Sequence, residues 1–254
     1  VSLVRIACHI NEFEDCLPAA IWLKDQGYKV GFNLMQINNA DEGKIAELLK
    51  LANTHPIDVL YFADSIGSLN TQQITTIVNT FKNNWCGAIG IHAHDSMGNA
   101  VNNSMQAVND GVSWVDCTVT GMGRGPGNAQ TEYLSIELDS YRKLNTSKTK
   151  LLKLIRNHFK PLKEQYDWGI NPYYYLAGKH NIHPTYIQKM ITDTRYNEED
   201  IVSVIDYLKE QGGGKFNPDV LESARHFYSG DARGTWKPTK VIKNNNVLII
   251  GPGP

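Results

Sequence analysis

Residues 87–132 read GAIGIHAHDSMGNAVNNSMQAVNDGVSWVDCTVTGMGRGPGNAQTE, and this stretch decides the fold. A short apolar run, Ala88 to Ile91, leads into His92-Ala93-His94-Asp95. A segment of helical periodicity over 99–110 closes at Gly111, and a second apolar run, Trp114 to Val119, opens into the glycine-rich Gly121–Asn128. Apolar run, helix and apolar run at this spacing form one βαβ unit. Side chains alternate faces along a strand, so His92 and His94 are expected on one side of its carboxyl end. Two imidazoles there could chelate a divalent metal ion; the alternative is a pair of hydrogen-bonded core histidines.

The same rhythm extends towards the amino terminus. Apolar runs at Leu3–Ala7, Lys29–Met35, Asp58–Ala63, Ala88–Ile91 and Trp114–Val119 start 26, 29, 30 and 26 residues apart. Helical periodicity fills the gaps, with apolar residues at Ile45, Leu48, Leu49 and Ala52, and at Ile74, Ile77, Val78 and Phe81. Segments 13–26 and 99–110 fit the same pattern, each closed by a glycine, Gly27 or Gly111, suited to a left-handed helix cap. An open doubly wound sheet and a (β/α)8 barrel share this spacing. Chemically rich strand ends (Cys8-His9, Asn33 to Gln36, Asp64-Ser65, His92 to Asp95) favour the barrel, where function gathers at strand carboxyl ends. The expected fold class is α/β: an incomplete (β/α)8 TIM barrel of five units, followed by a helical carboxyl-terminal region.

Beyond residue 145 the rhythm gives way to helices, expected at 148–166, 184–190, 198–209 and 219–228. Asp167–Pro172 reads as a break and Gly212-Gly213-Gly214 as a flexible joint. Three domains follow: 1–144 the partial barrel, 145–243 a helical appendage, and 244–254 the start of a further segment. In that last segment Val247–Ile250 reads as a strand leading into Gly251 and Gly253. Both ends are expected to be cut from a longer polypeptide.

Composition sets broad limits. With 25 basic and 26 acidic residues among 254, no global field favours nucleic acid or an anionic membrane. No apolar run approaches the roughly 20 residues of a membrane helix, and Cys8, Cys16, Cys86 and Cys117 have no metal or disulfide spacing. A cytoplasmic protein with buried free thiols is expected, neither nucleic-acid-bound nor membrane-bound.

Val4–His9, Gly31–Met35, Tyr61–Gly67, Gly90–Asp95 and Gly121–Asn128 together resemble class II pyruvate aldolases of the 4-hydroxy-2-oxovalerate type. That superfamily also holds 3-hydroxy-3-methylglutaryl-CoA lyase and isopropylmalate synthase. In order and spacing these stretches match barrel strands 4–8. The resemblance implies a lyase in which His92, His94 and Asn128 hold Mn2+ or Mg2+. It further implies pyruvate and an aldehyde as substrates, and a Tyr of the carboxyl-terminal region, among which Tyr174 is chosen, as acid. The family's first-strand Arg-Asp pair, which completes the metal site and steadies the enolate oxygen, has no counterpart, so this piece alone is expected to be inactive. A homo-oligomer, or membership of a longer chain, is also expected.

Other residues carry alternatives. Asp64 and Ser65 could orient substrate or simply form a turn. Asn33 could line the same mouth, and Arg124 could meet a substrate carboxylate or point to solvent. Two other readings of the whole are an acyl-CoA-condensing synthase of the isopropylmalate synthase type and an inactive barrel fragment.

Overall fold

The structure is a computed structural model that describes residues 2–37, 40–142 and 147–229. The 144/145 boundary, segment 244–254 and its expected strand lie outside them. Five strands, β1 (Leu3–His9), β2 (Lys29–Met35), β3 (Val59–Asp64), β4 (Ala88–Ala93) and β5 (Trp114–Val115), form one parallel sheet in sequence order. Helices α1 (Phe13–Asp25), α2 (Glu42–Ala52), α3 (Thr71–Asn84) and α4 (Ala100–Asn109) connect them. This is the α/β barrel architecture that the spacing indicated, present as five consecutive βα units.

The two faces of the sheet differ in chemistry. Phe32, Leu34, Leu60, Phe62, Ile89 and Ile91 point outwards into the core beneath the helices. The helices present matching stripes: α3 buries Ile74, Ile77, Val78 and Phe81, and starts at a reciprocal cap between Asn70 and Gln73. On the other face the register aligns one row across all five strands: Ala7, Asn33, Tyr61, Gly90 and Trp114. One step towards the strand ends, His9 lies beside Met35 and Ala63 beside His92. One step below, Arg5 lies beside Gly31.

The sheet is strongly curled. Arg5 Nη1 on β1 lies 2.5 Å from Asp116 Oδ2, just past β5. In a flat sheet those two strands would be about 19 Å apart, at roughly 4.8 Å per neighbour. The inner face is therefore a trough lined by polar groups.

Several expectations need correction. β5 stops at Val115 instead of Val119. Asp116 N–H still donates to Ile91 O at 3.0 Å, but Thr118 N–H turns to Ala129 O at 3.0 Å, so the chain folds back on the glycine loop. The helix expected over 148–166 is three pieces, α6 (Lys148–Leu154), a π-helical turn (Ile155–Phe159) and α7 (Lys160–Tyr166). Pro161 lacks an N–H for the regular ladder and opens α7, which accounts for the wide turn before it. The glycine joint is an ordered helix stop: Gly212 has φ 84°, and the N–H groups of Gly212 and Gly213 both reach Leu208 O. All four cysteines are free, but only Cys8 is buried, while Cys86 and Cys117 are exposed.

The helical region has a core of its own and also touches the strand ends. Helices α8 (Pro172–Lys179), α9 (Pro184–Ile191), α10 (Glu198–Gln211) and α11 (Pro218–Ser229) follow α5 (Thr131–Arg142), α6 and α7. They build their own core around Tyr174, Tyr186, Ile187 and Ile205. They also lie over the strand ends: Trp168 Nε1 donates to Thr120 O at 3.1 Å, and Gly169 N–H to Gly125 O at 3.0 Å. A Cβ on Gly178 would come within 2.9 Å of Met97, so α8 sits directly on the loop after His94.

Candidate metal and substrate site

At the carboxyl end of β4 the His92 and His94 rings lie edge to face with centroids 5.2 Å apart. They share a side, as strand alternation requires. Asn128 joins them through a bridge between its backbone and that of His94. Its Nδ2 donates to Met122 O at 3.2 Å, turning Oδ1 inwards, where that buried oxygen has no hydrogen-bond partner. His94 Nδ1 is likewise buried and unpartnered. Burial, followed by repulsion from His92, Arg124 and His183, pushes the His94 pKa down to about 3, so its ring is neutral at physiological pH.

His92 is held differently. Its Nδ1 lies 2.8 Å from Asp116 Oδ2, the same oxygen that Arg5 reaches. Burial opposes ionisation of Asp116, but the hydrogen bond from His92 and the charge of Arg5 outweigh it and hold the pKa below the usual carboxylate range. An ionised Asp116 fixes the proton on Nδ1 and leaves the other ring nitrogen, Nε2, as the acceptor. Carboxylate–imidazole pairs of this kind orient metal-ligating histidines.

Two imidazole rings and an amide oxygen, with His94 Nδ1 and Asn128 Oδ1 orphaned in the interior, fit a divalent cation. No group of three or more His, Cys, Asp or Glu that could hold a metal occurs among the described residues. The donors here are thus two imidazoles and an amide, and a carboxylate would have to come from other residues or from a ligand.

Other expected residues separate. Asp64 is 1% exposed, and its two oxygens accept backbone N–H groups from Gly67, Ser68 and Leu69 at 2.8–3.1 Å. Burial lifts its pKa to about 6 against those three donors. These three bonds close a turn at the end of β3. Ser65 Oγ accepts from Gln36 N–H at 3.0 Å, tying the ends of β2 and β3 together. Asn33 lies one row below His92 with its Oδ1 buried and unpartnered. Arg124, in the glycine loop, makes no ion pair or side-chain hydrogen bond among the described residues, and it acts electrostatically on His94, Tyr174 and His183.

Tyr174, at the start of α8, is brought to the same loop. A Cβ on Gly125 would sit 3.2 Å from its hydroxyl oxygen. Burial and the charge of Asp167 raise its pKa to about 12 against the opposing pull of Arg124. Tyr174 is therefore a phenol, a proton donor, at neutral pH.

Arg5, Asp116 and His183 went unnoticed as site residues in the sequence. A lone Asp inside an otherwise apolar strand was the available signal for Asp116, since an acid is seldom buried without a partner. His183 precedes α9, and only packing brings it near Arg124 and His9, which with burial take its pKa down to about 4.

A parallel βα sheet with polar groups gathered on the inner face at the strand ends defines an α/β-barrel architecture. The chain belongs to the HMGL-like family, whose profile matches residues 4–158. It is 35% identical over 134 residues to a 4-hydroxy-2-oxovalerate aldolase of Pelotomaculum thermopropionicum, covering 53% of this chain and 40% of the relative. It is 33% identical over 139 residues to one from Brevibacillus brevis, covering 55% and 41%. The chain thus spans about two fifths of the length of these curated relatives. Among solved structures, the N-terminal domain of a candidate aldolase from Bacteroides vulgatus superposes with a TM-score of 0.71 at 29% identity, covering 80% of this chain and 66% of that one. The carboxyl transferase domain of Rhizobium etli pyruvate carboxylase shares the fold over 91% of this chain, with a TM-score of 0.69 at 16% identity, covering 42% of that one. Among the described residues, no helix is long and apolar enough to cross a membrane.

Proposed function

We propose that this chain supplies the carboxyl-terminal five units of a divalent-metal-dependent aldolase, a carbon–carbon lyase that cleaves or forms a 4-hydroxy-2-oxo acid. Pyruvate and an aldehyde are the partners. The observation that carries this reading is the convergence of His92, His94 and the orphaned Asn128 oxygen at one strand end. A hard divalent ion, Mn2+ or Mg2+, held there would supply Lewis-acid stabilisation for the charge that develops on a 2-oxo acid as its C3–C4 bond breaks.

The chain's own groups have separate tasks. Asp116 keeps His92 in one tautomer and one orientation. Neutral His94 offers a lone pair without first losing a proton. Tyr174 holds its proton at the hydroxyl and can deliver it, while α8, which carries Tyr174, and the link that carries Trp168 lie over the strand ends. The names of the curated relatives support the substrate class.

The test uses the intact polypeptide. Mn2+ binding followed by electron paramagnetic resonance should fall at least tenfold in His92→Ala and His94→Ala, and pyruvate release from 4-hydroxy-2-oxovalerate should fall with it. Unchanged Mn2+ binding in both variants removes the metal site. Release of free CoA from acetyl-CoA and a 2-oxo acid, with no pyruvate released from any hydroxy-oxo acid, replaces this reading with acyl-CoA condensation.

A further inference from the structure

The first strand presents its two sides to different surroundings. Arg5, Ala7 and His9 face the trough, whereas Cys8 points the other way, into the core beneath α1, and is 2% exposed. A short 3-10 helix, Ile10–Glu12, then reverses the chain, and the Glu12 carboxylate fastens the turn by accepting the His9 backbone N–H at 3.0 Å. The first turn of α1 therefore lies over the end of β1. The buried stripe of α1 is Phe13, Leu17, Ala20 and Leu23, and Cys16, three residues after Phe13, sits at its edge. Cys16 is half-buried and packs on the same core as Cys8, and the two thiols meet in a hydrogen bond. Their spacing in the sequence suggests no pair; the reversal at Ile10–Glu12 is what joins them.

The difference in exposure separates the two thiols chemically. Small solutes reach Cys16 from solvent but not Cys8. Burial, followed by the neighbouring Cys16 and Glu12, pushes the Cys8 pKa up to about 12. Cys8 therefore keeps its proton at neutral pH and is no first target for an oxidant. Cys16 is the sulfur that meets one, with a second sulfur already beside it.

We infer that Cys8 and Cys16 form a reversible disulfide when the protein meets a hydroperoxide, a staple between the end of β1 and the first turn of α1. The inference does not depend on the aldolase reading. The Cys16 sulfur takes one oxygen from hydrogen peroxide, releasing water and becoming a sulfenic acid. The Cys8 sulfur then displaces that oxygen, which leaves with the Cys8 proton as a second water, and the sulfurs close from contact to a bond of about 2.05 Å. The peroxide is reduced to water and the thiol pair is oxidised. Proximity in the fold offsets the small thiolate fraction of Cys8. The same geometry slows reduction, because a reductant reaches only the Cys16 sulfur and must expel Cys8, whose high pKa makes it a poor leaving group. Cys8 directly precedes His9, so the staple anchors the β1 end of the trough from its outer side.

The experiment treats the intact polypeptide with hydrogen peroxide, removes the oxidant, labels the remaining thiols with iodoacetamide in urea and maps the tryptic peptide 6–24, which holds both cysteines. That peptide should lose the two thiol hydrogens, take up no label, and regain both labelling sites after dithiothreitol. The bond should form at least about tenfold faster in the folded protein than in the urea-unfolded chain, because the fold supplies the contact. Cys8→Ser should leave Cys16 as a sulfenic acid that dimedone traps and that excess peroxide carries on to sulfinic acid. Cys16→Ser should leave the Cys8 thiol intact in the folded protein. A folded protein whose peptide 6–24 carries two labels after peroxide, or a Cys16 sulfinic acid beside a free Cys8, overturns the inference. So does a disulfide that joins either residue to Cys86 or Cys117, or one that forms as fast in urea.

Discussion

Asp116 and His92 are joined by a 2.8 Å hydrogen bond, and the carboxylate oxygen that makes it also receives Arg5 from the opposite side of the trough at 2.5 Å. One oxygen thus links the first strand of the sheet to the residue expected to ligate metal. Arg5 is itself fixed, with its guanidinium 4.5 Å from the centre of the Tyr61 ring.

Removing the charge of Asp116 should therefore weaken metal binding while leaving both histidines in place. Asp116→Asn is expected to lower Mn2+ affinity by about 10- to 100-fold. Arg5→Met, which leaves the carboxylate on His92, should cost less. Calorimetric titration of both variants checks the order, and wild-type affinity in Asp116→Asn would show that the pair does not orient the ligand.

Gly90 is required by a close approach. A Cβ there would lie 2.3 Å from the Tyr61 ring, the ring on which Arg5 rests. Gly90→Ala should destabilise the fold by about 1–3 kcal/mol through overpacking, and should shift Arg5 away from Asp116. Denaturant unfolding gives the first effect. The second appears as weaker Mn2+ binding that Gly90→Ala/Tyr61→Leu restores in part.

Two histidines make the metal-free protein acid-sensitive. The folded-state pKa values of His94 and His183 are depressed to about 3 and about 4 from 6.5. The stability they contribute is therefore fully present above 6.5 and is lost as pH falls towards those values. Each proton taken up only on unfolding costs about 1.4 kcal/mol per pH unit in that window. The thermal midpoint should fall between pH 7 and pH 4. His183→Asn, which can still cap α9 at the Thr185 N–H now bonded to His183 Nδ1, should flatten the fall. An identical slope in the variant would mean that His183 does not contribute.

Trp168 pins the glycine loop from the helical side. Its indole N–H is the donor to Thr120 O, on a residue held at φ 57°. Trp168→Phe keeps the ring but strands a buried carbonyl, which should cost about 1–3 kcal/mol. Because Thr120 begins the loop that ends at Asn128, Mn2+ affinity should fall as well. Hydrogen exchange confined to 118–130 would locate the effect; unchanged exchange there would refute it.

The βα rhythm, the sharing of one side by His92 and His94, and the helix stripes at Ile45–Ala52 and Ile74–Phe81 were legible in the sequence. Each depends on a period of 2 or 3.6 residues, which neighbouring side chains record locally. Asp64 is ambiguous in the sequence because a turn and a substrate site call for the same residue types, and its three backbone donors became visible only in the folded chain. The expected β5 runs on to Val119 because Cys117 to Val119 suit a strand in composition, while the backbone of Thr118 bonds to Ala129 and Thr131 instead of to β4.

By itself the sequence determined the alternation of strands and helices, the apolar face of each and the carboxyl-end position of the paired imidazoles. Tertiary structure alone decided that Arg5 meets Asp116 across the trough, that Tyr174 and His183 arrive at the glycine loop from a separate helical core, and that Arg124 faces a cavity. The physical reason is range. Periodicity is written between adjacent turns of one element, whereas the curl of the sheet and the seating of the helices are set by contacts between distant residues, 111 positions apart for Arg5 and Asp116 and 48 for Trp168 and Thr120, whose pairing no local pattern encodes.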